Sequence, residues 1–164
     1  MKKFDALIIG SGQAGTPLSK KLARRGWKVA LIEKEAVGGT CINVGCTPTK
    51  TMIASAKMAY EVRRSEDYGV HASPAGIDLN KILARKDEVV KRFRSGSQKG
   101  LESTGNLELV FGTARFVTEK QIKVEFNNGG EEIFIADYIF INVGARPVIP
   151  EIEGLKQVNY LTSP

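Results

Sequence analysis

The feature that most constrains the fold is a glycine-rich turn between a short apolar run and a helical pattern. The apolar run covers residues 4–9, and Gly10 to Gly15 then match the spacing G-x-G-x-x-G. Small and apolar residues recur at helical spacing over 13–25, and residues 29–33 form a second apolar run. Strand, turn, helix and strand within about thirty residues make a βαβ unit, which predicts a right-handed crossover and a parallel sheet.

The same turn predicts a binding site for the phosphates of a dinucleotide. Gly10 permits the tight turn, Gly12 lets the backbone approach a pyrophosphate, and Gly15 lets helix and strand pack closely. The free amides at the helix start favour an anion, and Glu33 is placed to accept hydrogen bonds from an adenosine ribose. The motif does not distinguish NAD from FAD, and glycines that serve only a tight turn are the alternative. The candidate cofactor-binding residues here are Gly10, Gly12, Gln13, Ala14, Gly15, Glu33 and Lys34.

The positive charge of the chain does not by itself indicate nucleic-acid binding. The 164 residues include 24 Lys and Arg against 18 Asp and Glu, and much of the excess lies between Lys81 and Lys99. Phe93 is the only aromatic residue in that segment, whereas a surface that stacks single strands needs several. We interpret the segment as a solvated helix face and expect no nucleic-acid partner, with salt-dependent DNA binding as the alternative.

The composition predicts one folded domain without a membrane span. Hydrophobic residues make up 42% of the chain, enough to bury a core. No stretch approaches the roughly 18 consecutive apolar residues that a spanning helix needs. We therefore expect a cytoplasmic protein with no membrane association.

The rest of the sequence predicts a helix pair followed by short strands. Helices are expected over 51–64 and 79–101, antiparallel and joined by a loop around 69–76. Asn128-Gly129-Gly130 is a strong hairpin signal. Short strands are predicted over 107–111, 113–117, 121–126, 132–135 and 138–142. The expected fold class is α/β, a parallel sheet with a helical pair and a small antiparallel β-meander.

Two cysteines lie in an unusual loop over residues 37–50. Cys41, Cys46 and His71 give at most three soft ligands, one short of a closed structural zinc site, so no metal is expected. In a reducing cytoplasm the cysteines are either inert buried thiols or a redox-active couple. Residues five apart on a regular helix lie roughly 140° around the axis from one another, so a disulfide requires distorted backbone, which Gly45 allows.

The chemistry of the two sulfurs is expected to differ. Pro48 and the Ala-rich run after it place Cys46 near the start of a helix, where the dipole favours a thiolate. Lys50, one turn further on, adds positive charge near the same site. Cys46 is therefore the expected low-pKa sulfur of the pair.

Residues 38–50 resemble the redox-active disulfide motif of the flavin-dependent pyridine nucleotide-disulfide oxidoreductases, the family of dihydrolipoamide dehydrogenase, glutathione reductase and mercuric reductase. The resemblance extends to the glycine-rich turn with Glu33, to the helix pair, and to residues 112–114 and 144–147. It implies a Rossmann-like FAD-binding domain over 1–150, incomplete as a first segment. Residues 151–164 would be a connector toward an absent nicotinamide-binding domain.

The resemblance also implies an electron relay. In this family NAD(P)H reduces FAD, FAD reduces the disulfide, and the dithiol reduces a small-molecule disulfide or metal-ion substrate. By motif position, Cys46 would face the flavin, Cys41 would attack substrate, and Lys50 would lie near the flavin. The further residues implied to contact FAD are Gly38, Gly39, Thr40, Thr113, Ala114, Val143 and Gly144.

Some residues depart from the family pattern. The late FAD motif usually reads Ala-Thr-Gly, but Asn142-Val143-Gly144 here removes the hydroxyl at Val143. The ending Thr47-Pro48-Thr49-Lys50 is most similar to mercuric reductase-like members, with a dihydrolipoamide dehydrogenase-type parent as the alternative. Family members run to several hundred residues and act as homodimers, so the chain is expected to be a fragment. Alone it would be inactive, or a dinucleotide-binding module without turnover.

Overall fold

The computed structural model describes residues 1–73 and 76–162. Among these residues, a β1–α1–β2 unit is followed by three helices and then by three strands. The strands are β1 (Lys2–Ile9), β2 (Val29–Glu33), β3 (Leu107–Thr118), β4 (Gln121–Phe126) and β5 (Glu131–Ile141). The helices are α1 (Gly15–Arg24), α2 (Gly39–Asn43), α3 (Cys46–Arg63) and α4 (Leu79–Glu102), with single 3₁₀ turns at Ser65–Tyr68 and Leu155–Gln157.

Four strand segments form the predicted parallel sheet. β1 is central, with β2 on one side and the second half of β5 on the other, and β3 pairs with the outer edge of β2. Ala6 lies opposite Val29, and Leu7 lies opposite Ile139. The connection from β1 through α1 to β2 is the βαβ unit that the glycine-rich turn predicted, and Gly26 follows the end of α1 with a φ of +90°.

The prediction of five separate short strands over 107–142 is wrong, because two strands are continuous and change partners. β3 pairs with β2 as far as Phe111 and with β4 from Gly112 onward. β5 pairs with β4 near its start and with β1 over the rest of its length, which closes the sheet into a barrel. A Cβ at Gly112 would lie 2.5 Å from the carbonyl oxygen of Glu125, so glycine here admits β4 at the crossover rather than ending the strand.

The hydrophobic residues form two clusters, one on each face of the parallel sheet. One cluster takes residues from all five strands and fills the barrel, with Phe4 and Phe134 in ring contact at 5.2 Å. The other lies on the opposite face, where Ile8 and Leu31 pack with Ala23 of α1 and with Leu101 of α4. Because β2 is buried over its whole length, its ends have a fixed place in the fold.

The helix pair is antiparallel, as predicted, but its first helix begins earlier than expected. Residues 37–50 were expected to form a loop; the structure places α2 within it and begins α3 at Cys46. The antiparallel direction is seen in two hydrogen bonds from α4. Arg85, near the start of α4, bonds to the carbonyl of Thr51, whereas Arg94, further along α4, bonds to the earlier residue Asn43. Residues 74 and 75 of the predicted connecting loop, and residues 163 and 164, lie outside the described residues.

The basic residues of the 81–99 segment are exposed, apart from the half-buried Lys86, which confirms the interpretation as a solvated helix face. Two of these exposed residues also form hydrogen bonds, Arg85 to the carbonyl of Thr51 and Arg94 to Asn43. No helix in residues 1–73 and 76–162 has both the length and the apolar character needed to cross a membrane.

Candidate functional site

A cavity of about 550 Å³ opens where β1, β2 and β5 end, the usual ligand site of an open α/β sheet. It brings together most of the residues that the sequence predicted. Those that line it are Gly10, Gly12, Gln13, Glu33, Lys34, Gly38, Gly39, Thr40, Cys41, Cys46, Thr113, Ala114, Val143 and Gly144. Among the other predicted residues, Ala14 and Gly15 lie at the start of α1, and Lys50 is exposed on α3.

A second cavity of about 620 Å³ extends the site along the end of β5. It shares Glu33, Thr40 and Val143 with the first cavity and reaches Arg146. Small-molecule sites range over about 300–1,000 Å³. The two adjoining cavities therefore provide space for an elongated ligand.

The glycine-rich turn leaves its backbone open to the cavity. Gly10 has a φ of +99°, a left-handed conformation that glycine adopts without a steric penalty. A Cβ at Gly39 would lie 2.9 Å from the Cα of Gly12, so the cysteine-bearing loop packs directly against the turn. The start of α1 adds amides without intrahelical partners. These features fit the pyrophosphate of a dinucleotide, because an anion can approach the backbone with no side chain in its way.

Glu33 is held at the end of β2 by hydrogen bonds to both carboxylate oxygens. Its Oε2 accepts from the backbone N and the hydroxyl of Ser11, at 3.0 and 2.5 Å. Its Oε1 accepts from the backbone N of Glu35 at 2.9 Å. Oε2 already accepts two hydrogen bonds, but Oε1 accepts only one and can accept another, so the carboxylate is oriented and still able to bind a ribose hydroxyl. The sequence analysis did not single out Ser11. Its position inside the glycine-rich motif is the one feature of the sequence that could have pointed to it.

Asn142 is a second cavity residue that sequence reasoning did not include among the candidates. Its side-chain Nδ2 donates to the carbonyl of Gly10 at 3.1 Å, and its backbone N donates to the carbonyl of Ile9 at 2.8 Å. A Cβ at Gly12 or Gly15 would lie 3.2 or 2.8 Å from the same Nδ2. Asn142 thus holds the glycine-rich turn from the neighbouring strand. Its position directly before Val143, a predicted cofactor-binding residue, is the feature of the sequence that could have pointed to Asn142.

The two cysteines lie on different helices that meet at a tight turn. Cys41 is in α2 and half-buried, while Cys46 is the first residue of α3 and exposed; both are free thiols. Between them, the amides of Val44 and Gly45 both donate to the carbonyl of Thr40, at 3.0 and 2.7 Å. The regular helix is thereby interrupted between the cysteines, as the sequence predicted.

The side chain of Cys46 raises the pKa of the Cys41 thiol, chiefly by hydrogen bonding and in addition by its charge. Partial burial of Cys41 raises the same pKa, and the positive charge of Lys50 opposes the shift. The Cys41 thiol therefore has a pKa above its ordinary value and keeps its proton to higher pH than an unperturbed thiol does. Two thiols in such contact can lose two electrons and two protons together and close a disulfide.

Asn43, between the cysteines, fixes their loop by hydrogen bonds in two directions. Its Nδ2 contacts the carbonyls of Ala36, Val37 and Gly39, at 3.3, 3.2 and 2.9 Å. Its Oδ1 accepts from Nε of Arg94 on α4 at 2.7 Å. Neither Asn43 nor Arg94 was a predicted site residue. The described residues contain no group of three or more His, Cys, Asp or Glu side chains that could hold a metal ion.

Comparison with known proteins agrees with this geometry. The family model for pyridine nucleotide-disulphide oxidoreductases matches residues 4–163. Mercuric reductase of Shigella flexneri is 38% identical over 158 residues, 95% of this chain and 28% of that protein. A probable pyridine nucleotide-disulfide oxidoreductase, RclA of Escherichia coli, is 38% identical over 157 residues, 94% of this chain and 32% of that protein.

A solved structure, the Cu(II) complex of the HOCl-induced flavoprotein disulfide reductase RclA from Escherichia coli, matches with a TM-score of 0.78 at 35% identity. The match covers 96% of this chain and 32% of that one. The chain thus spans about a third of the length of these relatives. The resemblance inferred from residues 38–50 is confirmed, and the chain belongs to the pyridine nucleotide-disulphide oxidoreductase family.

Proposed function

We propose that this chain is the FAD-binding and disulfide-bearing part of an NAD(P)H-dependent flavin disulfide reductase. The observation that carries the proposal is the cavity in which both cysteines share a wall with the glycine-rich turn and Glu33. Residues 1–150 would form the first segment of the FAD-binding domain, and residues 151–164 the connector to the nicotinamide-binding domain of the full-length protein.

Each part of the cavity wall has residues that suit one part of FAD. The glycine-rich turn and the start of α1 would bind the pyrophosphate, and Glu33 would bind the adenosine ribose. The backbone at Thr113 and Ala114, on the wall of the cavity formed by β3, would contact the adenine. The remaining wall, from Gly38 to Cys46 and at Val143 and Gly144, would hold the rest of the cofactor.

When bound, FAD would supply the transfer of electrons from NAD(P)H to the cysteine couple. Opening the Cys41–Cys46 disulfide consumes two electrons and two protons; hydride from NAD(P)H brings both electrons and one proton, and solvent brings the other. Cys46 lies at the start of α3 and would face the flavin. Cys41, on α2, would attack the substrate, with Lys50 adding positive charge nearby.

The substrate class that we propose is a disulfide or a soft metal ion. Two adjacent thiols suit both, because thiolates attack disulfides and also ligate soft metals. The relatives support this choice, since they include mercuric reductases and a disulfide reductase solved as a Cu(II) complex. A mercuric reductase-like full-length protein, homodimeric and cytoplasmic, is the form that we propose for the parent.

The visible absorption spectrum of the purified chain with FAD tests the proposal. After unbound FAD is removed, the chain is expected to retain a flavin spectrum, and one equivalent of dithiol is expected to add a long-wavelength band. The band should persist in Cys41→Ser and disappear in Cys46→Ser, because only Cys46 is proposed to face the flavin. A band that depends on Cys41 instead would overturn the assignment of the two sulfurs.

The second candidate is a dinucleotide-binding module without turnover, which is favoured by the glycine-rich turn and Glu33 on the wall of one cavity. If this candidate is right, the chain will retain FAD but will not oxidise NAD(P)H. Oxidation would then be expected only of the full-length protein.

A further inference from the structure

The hydroxyl of Ser11 joins three parts of the cavity wall. Ser11 is fully buried, and its hydroxyl donates to Oε2 of Glu33 while accepting from the backbone N of Gly38 at 3.1 Å. Ser11 itself belongs to the glycine-rich turn, Glu33 ends β2, and Gly38 begins the cysteine-bearing loop. One hydroxyl therefore uses both its donor and an acceptor position to hold separate segments together.

The bond to Glu33 determines where the carboxylate points. Ser11 contributes two donors to the same oxygen, its backbone N at 3.0 Å and its hydroxyl at 2.5 Å. Glu33 is 8% exposed, so water has little access to replace a lost donor. Hydrogen bonds to a buried carboxylate are among the stronger ones in proteins. The hydroxyl of Ser11 is thus a main determinant of the orientation of Glu33.

The bond from Gly38 fixes the start of α2. Gly38 has a φ of +107° and directly precedes the helix that carries Cys41. A side chain at Gly38 would collide with Ile42, whose Cβ lies 2.7 Å from the Cβ position. The residue before α2 therefore has to be glycine, and its backbone N donates to the hydroxyl of Ser11, which anchors the start of the helix.

We propose that Ser11 is a positioning residue that links the ribose-binding carboxylate to the helix carrying Cys41. This inference rests on the proposed function, because Glu33 is taken to bind the adenosine ribose of FAD. A ribose bound at Glu33 holds the carboxylate in place, the carboxylate holds the Ser11 hydroxyl, and the hydroxyl holds Gly38. Cofactor binding and the placement of Cys41 are coupled through this single side chain.

Ser19 provides a matched control. It is also fully buried, and its hydroxyl donates to the carbonyl of Thr16 at 2.9 Å within the first turns of α1. Ser11→Ala and Ser19→Ala remove the same atom from equally buried sites. Only the first removes bonds to Glu33 and Gly38.

The test compares the two variants by FAD titration and by hydrogen exchange of the Gly38 amide. In Ser11→Ala, we expect FAD affinity to fall by about tenfold and the Gly38 amide to exchange about tenfold faster, because a buried donor loses its partner. Ser19→Ala should leave both unchanged. Ser11→Thr, which keeps the hydroxyl, should restore both values and provides a folded comparison should the alanine variant not fold.

A fourth variant tests the link from Glu33 through Ser11 to Gly38. Glu33→Gln is expected to weaken FAD binding and, because the carboxylate holds the Ser11 hydroxyl, to speed exchange of the Gly38 amide by less than Ser11→Ala does. Equal affinities and equal Gly38 exchange in Ser11→Ala and Ser19→Ala would overturn the inference. A parent chain that retains no FAD would overturn the proposed function and the ribose half of the inference, while Gly38 exchange would still decide the link to α2.

Discussion

Alanine at Gly15 is expected to displace the glycine-rich turn. Gly15 is the first residue of α1, and a Cβ there would fall inside the van der Waals shell of the Gly10 carbonyl oxygen. The same Cβ would lie 3.2 Å from that carbonyl carbon and 2.8 Å from Nδ2 of Asn142, where ordinary contacts are 3.4–4 Å. Two of these three atoms are backbone, so the turn and α1 have to move apart.

Two opposing effects determine the change in the free energy of unfolding of Gly15→Ala: overpacking destabilises the fold, and the higher helix propensity of alanine stabilises it. Forcing an extra methyl into a packed site costs about 1–3 kcal/mol. Replacing glycine by alanine within a helix returns up to about 1 kcal/mol. We therefore expect a net loss of about 1–2 kcal/mol in the free energy of unfolding. We also expect FAD affinity to fall by about tenfold or more, because the displaced turn is the pyrophosphate site.

Gly96→Ala is the matched control, and we expect it to raise the stability of the chain rather than lower it. It lies in α4, with nothing within 4 Å of its Cβ position. Gly96→Ala should gain about 0.5–1 kcal/mol and raise the melting temperature by about 2–3 °C, with FAD binding unchanged. Thermal denaturation and FAD titration of both variants form the assay. If Gly15→Ala melts no lower than the parent chain and binds FAD equally well, the steric argument is refuted.

Four further predictions concern polar contacts of the site. Cys46→Ala removes the main cause of the raised pKa of Cys41, so the pH at which Cys41 becomes reactive toward iodoacetamide should fall. Lys50→Met removes a charge that lowers this pKa, so the same alkylation profile, followed by mass spectrometry, should move to higher pH. Arg94→Met frees the cysteine-bearing loop from α4 and should cost about 1 kcal/mol, measured by urea denaturation. Asn142→Ala removes the bond to the Gly10 carbonyl and should weaken FAD binding about fivefold, measured by titration.

Each of these predictions has an outcome that contradicts it. An unchanged alkylation profile in Cys46→Ala would mean that the side chains of Cys46 and Cys41 do not interact, and an unchanged profile in Lys50→Met would mean that the charge of Lys50 does not act on Cys41. For Arg94, the control is Arg92→Met, since Arg92 pairs with Glu88 within α4 at 3.1 Å; equal losses in the two variants would exclude a specific role in the loop. For Asn142, parental FAD affinity in the alanine variant would show that the backbone alone holds the turn.

The parts of the fold that the sequence predicted are those fixed by local patterns. The βαβ unit follows from an apolar run, a glycine-rich turn and a helical repeat, all within residues 4–33. The continuity of β3 could not be predicted in this way. Gly112 is a strand breaker by local preference, and its place inside a strand is explained by β4, whose Glu125 carbonyl oxygen lies 2.5 Å from the position that a Cβ would take.

The parts of the site that the sequence missed are side chains that act across long separations. The hydrogen bonds from Ser11 to Glu33, from Arg94 to Asn43 and from Asn142 to Gly10 join residues 22, 51 and 132 positions apart. The glycines were found because each occupies a motif with known backbone demands. A serine, an asparagine or an arginine fits many places equally well, so its partner becomes visible only when the chain is folded.

These long-range bonds also determine which part of the cysteine region can adjust when the couple opens and closes. The helix α2 is bound at both ends, by Gly38 to Ser11 and by Asn43 to Arg94. The helix α3 is bound to α4 through the carbonyl of Thr51. The turn at Val44 and Gly45, whose two amides share the carbonyl of Thr40, is the segment between these anchors. Because both helices are anchored outside it, this short turn is the part of the backbone that can adjust when the two sulfurs come together or separate.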